Sequence, residues 1–153
     1  HLLVGTADRI DVDDEGHAVV LDYKASVSPE HELAVREEGR LGKVQTLIYA
    51  QVARRMLGLN PVGALYVCYG KRCAVTGAYD ATVLESPHLP SMRHDKCEFA
   101  PRDGESFADL LDRTEEAIAR GVERMLSGDV RPDPSSPHAC TWCPVLSCAE
   151  RRA

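Results

Sequence analysis

The chain has 153 residues, 44% of them hydrophobic, and a formal net charge of −6. That length and composition suit one globular domain with a real core, and with no run of about eighteen apolar residues no membrane-spanning helix is expected. The acidic balance argues against a chain that grips nucleic-acid phosphates tightly on its own, which takes a basic patch, but not against a site where a cation inverts the local field.

No secretory leader is expected, because Asp8, Arg9 and Asp11 interrupt the N-terminal apolar stretch. The first residue is His1 rather than Met, which points to a piece of a longer protein. Six cysteines are unevenly spread: Cys140, Cys143 and Cys148 crowd the C-terminus, while Cys68, Cys73 and Cys97 lie apart. A secreted disulfide framework would be smaller and lack long helical patterns, so a reducing cytoplasm is the expected compartment.

In chain order, residues 2–12 and 17–25 read as strands around the turn Asp13-Asp14-Glu15-Gly16. A three-residue loop, Asp14-Glu15-Gly16, with a left-handed glycine predicts a hairpin that sets Asp13 opposite His17 and Asp8 opposite Asp22. Residues 26–40 are polar, contain Pro29, and read as a loop or short helix. Leu41, Val44, Ile48, Val52 and Met56 recur at helical steps and predict a helix over 41–58 that stops at Gly58. Residues 63–69 and 73–83 read as strands around Gly70-Lys71-Arg72, and 86–104 as irregular. A second helix is predicted over 106–127, capped by Ser106, with Phe107, Leu110, Leu111, Ile118, Val122 and Met125 on one stripe. A proline-rich connection from Arg131 to Pro137 leads to the cysteines. Hairpin, helix, hairpin, helix is an α/β order with a mixed central sheet flanked by helices.

The first hairpin carries the chemical signal. Side chains alternate along a strand, so Asp22 and Lys24 share a face, and the register adds Asp8. Val4, Thr6, Ile10, Val12, Ala18 and Val20 make that face mostly apolar. Carboxylates there lose hydration and repel each other. A divalent cation with oxygen ligands compensates, and Lys24 adds a second positive group. Asp8 and Asp22, with the carbonyl of Tyr23, are the candidate ligands for Mg²⁺ or Mn²⁺, and Lys24 is the group to orient water or stabilise phosphate charge. The bland alternative is a surface hairpin with ordinary ion pairs, which D-x-K alone would not exclude.

Residues 5–26 resemble the RecB and AddB nuclease domains of the PD-(D/E)XK superfamily. Gly5, Asp8, Arg9 and Asp11 fit that family's G-x-x-D-R-h-D, and Asp22, Tyr23 and Lys24 fit its h-h-D-Y-K; Ala25 stands where a small hydroxyl residue is usual. The resemblance implies a restriction-endonuclease-like core over 1–130, with Asp8 and Asp22 as metal ligands and Lys24 catalytic. Asp11 would instead support the strand or pair with Arg9. Gln45 and Tyr49 match the family's Q-x-x-x-Y helix motif and share a helix face; by resemblance Gln45 touches the catalytic centre or a DNA phosphate. An upstream family helix bearing His or Glu has no counterpart here, so the core reads as truncated at its N-terminus.

Residues 131–153 form the cysteine segment, expected to pack on the same domain. C-x2-C-x4-C resembles the C-terminal trio of AddB and of the CRISPR-associated RecB-like nucleases, which with a distant fourth cysteine holds a [4Fe–4S] cluster. The resemblance implies a structural staple in the full-length protein, absent or incomplete here. Zinc held by the same thiols and His138 is the competing reading; Cys68 reads as core, and His17, His31, His88 and His94 as solvated.

Three functions follow: the DNA nuclease module of a helicase–nuclease in double-strand-break repair, with DNA and a helicase as partners; a stand-alone RecB-like exonuclease; or a DNA-binding or structural module with an iron–sulfur staple. The helicase association comes from the resemblance, as no Walker motif is present.

Overall fold

A computed structural model describes residues 4–26, 43–70, 74–80, 82–84, 105–129, 131–132, 140–141, 143–149 and 151. The predicted loops over 26–40 and 86–104, the Lys71-Arg72 tip, Cys73, Cys97, Trp142 and every histidine but His17 lie outside these residues or nearly so. Six elements follow in order: β1 (Arg9–Val12), β2 (His17–Lys24), α1 (Gln45–Leu57), β3 (Asn60–Cys68), β4 (Ala74–Tyr79) and α2 (Phe107–Leu126). The chain divides into two compact units, 1–118 and 119–153. Among the described residues no helix is long and apolar enough to cross a membrane.

The sheet runs β1-β2-β3-β4, with β2 and β3 parallel and both outer pairs antiparallel. This mixed sheet with two helices is the expected α/β restriction-endonuclease-like core. Val20, Ala64 and Ala78 of the sheet pack with Leu47 and Ala50 of α1 and with Phe107, Leu110 and Leu111 of α2. Both helices therefore cover one face. Leu65, Val75 and Tyr79 form a smaller cluster on the other.

The hairpin has the expected register, with Arg9 opposite Leu21 and Val12 opposite Ala18. Gly16 takes φ 82°, the left-handed conformation the loop demanded. Asp13 closes the turn, its carboxylate accepting the N–H groups of Glu15 and His17, each at 2.9 Å. His17 is not a solvated turn residue as expected: it opens β2, is half-buried, and sets Nδ1 2.9 Å from the same carboxylate. At the start of β3 the register slips between Ala18 and Val19; Pro61 opposes Ala18 there and has no N–H for a regular ladder.

Both helices depart from the predicted stripes. In α1 the buried residues are Thr46, Leu47, Ala50, Gln51 and Ala53, whereas Val52 and Met56 are 45% and 77% exposed. Small side chains let the helix approach Val20 and Ala64 closely, and the larger Ile48, Val52 and Met56 turn to an apolar groove of about 220 Å³ shared with Leu111 and Ile118. Gln51 and Arg54 bond Asp112 at 3.1 and 2.9 Å, tying α1 to α2. In α2 the stripe holds through Leu111, but Met125 is exposed. Ser106 caps α2 as expected: its Oγ accepts the Asp109 N–H at 3.2 Å, and the Asp109 carboxylate accepts the Ser106 N–H at 2.8 Å.

Candidate active site

Two adjacent rows on the helix-covered face differ sharply. One runs Ile10, Val20, Ala64, Ala78 across the four strands and is wholly apolar. Two residues further along β2 the next row runs Asp22, Tyr66, Thr76, all buried and all polar. The candidate site lies at that step.

Asp8 sits one residue before β1, where the chain bends, rather than inside the predicted strand over 2–12; Val4 is 87% exposed and off the sheet. Asp13 and His17 bond across the hairpin, so hydrogen-bonded pairs alternate from there and Tyr23 would next bond Ala7. Instead the Tyr23 N–H donates to Asp8 Oδ2 at 2.8 Å. The carboxylate replaces a ladder carbonyl, which ends β1 and fixes Asp8 beside the Asp22 segment. The Tyr23 carbonyl points to the same edge, as strand N–H and C=O groups of one residue do. Arg9 and Asp11 pair at 2.7 Å on the exposed side, the supporting role expected of Asp11.

Asp22 is 2% exposed. Its Oδ2 accepts no aligned hydrogen bond and has Lys24 Nζ at 2.5 Å. Lys24 also donates to Gln45 Oε1 at 3.0 Å, and Gln45 Nε2 donates to the Tyr49 hydroxyl at 2.9 Å. The bond to Asp22 holds the Lys24 ammonium above the usual lysine range, with burial opposing and Asp8 adding a smaller push in the same direction. Asp22, Lys24, Gln45 and Tyr49 thus form one connected chain, with Asp8 anchored alongside.

Three residues of this centre had no sequence signal. Tyr66 is fully buried on β3 beside Asp22, its ring centroid 6.0 Å from Lys24 Nζ. Thr46 follows Gln45 on α1, and Thr76 faces Tyr66 from β4. Burial pushes the Tyr66 phenol up, so it stays neutral at ordinary pH. Only the parallel pairing of β2 with β3 reveals that a tyrosine in an apolar strand lies against a carboxylate.

The donor set fits a hard divalent cation. Asp22 Oδ2 is a buried oxygen short of partners, Asp8 spends one oxygen on Tyr23, and the Tyr23 carbonyl shares their edge. Among the described residues no three His, Cys, Asp or Glu side chains form a metal cage. Mg²⁺ needs none, because it keeps several waters and takes one or two carboxylates. The cysteine trio is a different case. Cys140 is buried, Cys143 and Cys148 are half-buried, and none is in a disulfide. The three thiols are not gathered as ligands of one centre, so no chemistry is derived through them. Cys68 is a core residue as expected, its Sγ 3.4 Å from the Ala25 carbonyl.

Comparison with known proteins agrees with this geometry. Residues 1–148 match the family model described as the PD-(D/E)XK nuclease superfamily. Neither the curated proteins nor the solved structures give a match. A buried aspartate and a lysine two residues apart on one strand, with a second aspartate anchored beside them, are what that family's name denotes, and the match spans nearly the whole chain: this protein belongs to the PD-(D/E)XK nuclease superfamily.

Proposed function

We propose that this chain is the catalytic module of a Mg²⁺- or Mn²⁺-dependent DNA exonuclease of the RecB and AddB type, working beside a helicase in double-strand-break repair in the cytoplasm. The observation that carries the nuclease reading is the convergence on Lys24, with Asp22 at 2.5 Å and Gln45 at 3.0 Å. Asp8, Asp22 and the Tyr23 carbonyl would hold the cation, which supplies charge neutralisation at the phosphate and a more acidic water. Lys24 keeps a proton at Nζ and presents positive charge where the phosphodiester gains negative charge. Gln45 restrains that ammonium, and Tyr49 restrains Gln45. Asp8 is exposed while Asp22 is buried, so substrate would approach from the Asp8 side.

The net charge of −6 supports a DNA grip supplied by another domain or subunit, which favours the helicase–nuclease over a stand-alone exonuclease. The iron–sulfur staple rests on the C-x2-C-x4-C spacing alone; iron and zinc analysis of anaerobically purified full-length protein decides between cluster and zinc. For the main reading, the full-length protein is incubated with linear DNA. Cleavage should require Mg²⁺ or Mn²⁺, stop with EDTA, and vanish in a folded Lys24→Ala variant. Undiminished cutting by that variant would remove the lysine from the mechanism.

A further inference from the structure

The polar row raises a question of support. Thr76 Oγ1 and Thr46 Oγ1 are buried without a hydrogen-bond partner, Asp22 Oδ2 is held by the Lys24 ion pair, and all three residues flank Tyr66. Such a layer is expensive to bury, and its two threonine hydroxyls do nothing to fix its arrangement. The start of α1 has the same weakness. Val44 occupies the N-cap without a side-chain hydrogen bond, and the first turn carries no acidic residue. An end of that kind frays, because its first N–H groups lack partners. Yet Gln45, the first residue of α1, is the one that meets Lys24.

Tyr66 addresses the second weakness. Its hydroxyl donates to the Lys43 carbonyl at 3.1 Å and accepts the Thr46 N–H at 3.4 Å. These bonds fall on either side of Gln45 and act as a cap supplied from β3. The ring of the same residue lies 6.0 Å from Lys24 Nζ, at the outer reach of a cation–π attraction. Both members of the Lys24–Gln45 bond are therefore referenced to one buried side chain.

We propose that Tyr66 is a positioning residue for the nuclease reaction: its hydroxyl fixes the start of α1 so that Gln45 meets Lys24, while its ring backs the ammonium. The assignment rests on the proposed participation of Lys24 and acts through Gln45, not on substrate.

The test is a double-mutant cycle on the full-length protein with linear DNA and Mg²⁺, using wild type, Tyr66→Phe, Gln45→Ala and the double variant. Tyr66→Phe removes one oxygen and keeps the ring, and all rates are taken below the melting point of the weakest variant. It should lower kcat about tenfold with KM little changed, and should cost nothing further once Gln45 is alanine. Equal losses in both backgrounds, as a general weakening of the fold would give, overturn the proposal. Amide hydrogen exchange gives a second readout that does not depend on activity. The Thr46 amide should exchange faster in Tyr66→Phe while the β3 amides keep their protection; unchanged Thr46 exchange overturns the tie. If wild type cuts no DNA with metal, the nuclease reading fails by itself. Lys24 labelling by an amine reagent then decides the tie: faster labelling in Tyr66→Phe supports it, and equal labelling overturns it.

Discussion

Replacing Asp22 by Asn removes a charge from a position that is 2% exposed and whose Oδ2 is met by Lys24 at 2.5 Å. Without metal two effects oppose. The ion pair is lost, but a buried carboxylate no longer has to be desolvated, and Lys24, 31% exposed, can extend its ammonium to water. The net change should be within about 1 kcal/mol of zero. With metal the variants separate. Free Mg²⁺ or Mn²⁺ at about ten times its Kd stabilises a protein that binds it only when folded by RT ln 11, about 1.4 kcal/mol. For a chain of this size that is a rise of about 3–6 °C in Tm. Asp22→Asn and Asp8→Asn should lose most of that rise. Lys24→Ala should melt lower without metal, because it leaves the buried carboxylate without its counter-charge, and should gain more from metal, because the ammonium no longer competes for Asp22. Thermal melts of each variant in EDTA and in Mn²⁺ measure all of this. The same metal-induced rise in Asp22→Asn as in wild type would refute the placement of the cation.

Two other outcomes follow from the geometry. Lys24 is held above its ordinary value of 10.5, chiefly by Asp22. For a raised group the stabilisation is complete below the unfolded value and fades as pH climbs through the folded one. The Tm difference between wild type and Lys24→Ala should thus stay level through neutral and mildly alkaline pH and shrink only above 10.5; a loss already in the neutral range would mean that Lys24 is not paired. Gly5 gives a steric test: a Cβ there would lie 2.9 Å from both Cε1 and the hydroxyl oxygen of Tyr49. Gly5→Ala should push Tyr49 off Gln45 and lower turnover about fivefold with Tm nearly unchanged, measured by cleavage kinetics alongside melting; unaltered turnover would free Gly5 of any part in the site.

The hairpin was legible because its turn left few choices. Asp13 and Gly16 each have a local job there, and a three-residue loop determines the partners of β1 from Arg9 opposite Leu21 to Val12 opposite Ala18. The end of β1 was not legible, because hydropathy cannot say that a side-chain carboxylate would take the place of a ladder carbonyl. On α1 the pattern of large apolar residues pointed to the wrong face. Helix against sheet at close range selects small side chains, so Ala50 and Ala53 are buried and Met56 is not. Gln45 and Tyr49 were found by motif and lie where their spacing puts them, one turn apart. Tyr66 was hidden for a different reason. Its neighbour in space is Asp22, forty-four positions away in sequence, and a parallel pairing leaves no mark on either strand.

Along β2 the environment changes quickly. Val20 is fully buried, Asp22 is 2% exposed and the Lys24 side chain 31% exposed, over a rise of about 13 Å. A cation ligand placed deeper, in the row of Ile10, Val20, Ala64 and Ala78, would be dry but out of reach of water and substrate. One placed at Lys24 would be reached easily, but solvent would screen its field. Asp22 stands between these limits, backed by the apolar row on one side and opening toward Asp8 and Lys24 on the other. The cost of that position is visible in the unpartnered hydroxyls of Thr46 and Thr76 and in the need of Asp22 for the Lys24 counter-charge. An apolar layer one step away, closed by Leu47, Ala50, Phe107 and Leu111, offsets it. A single strand thereby sets core and candidate site two residues apart on one face, so that in the proposed reaction the field at a bound phosphate would be strengthened by the dry adjoining row.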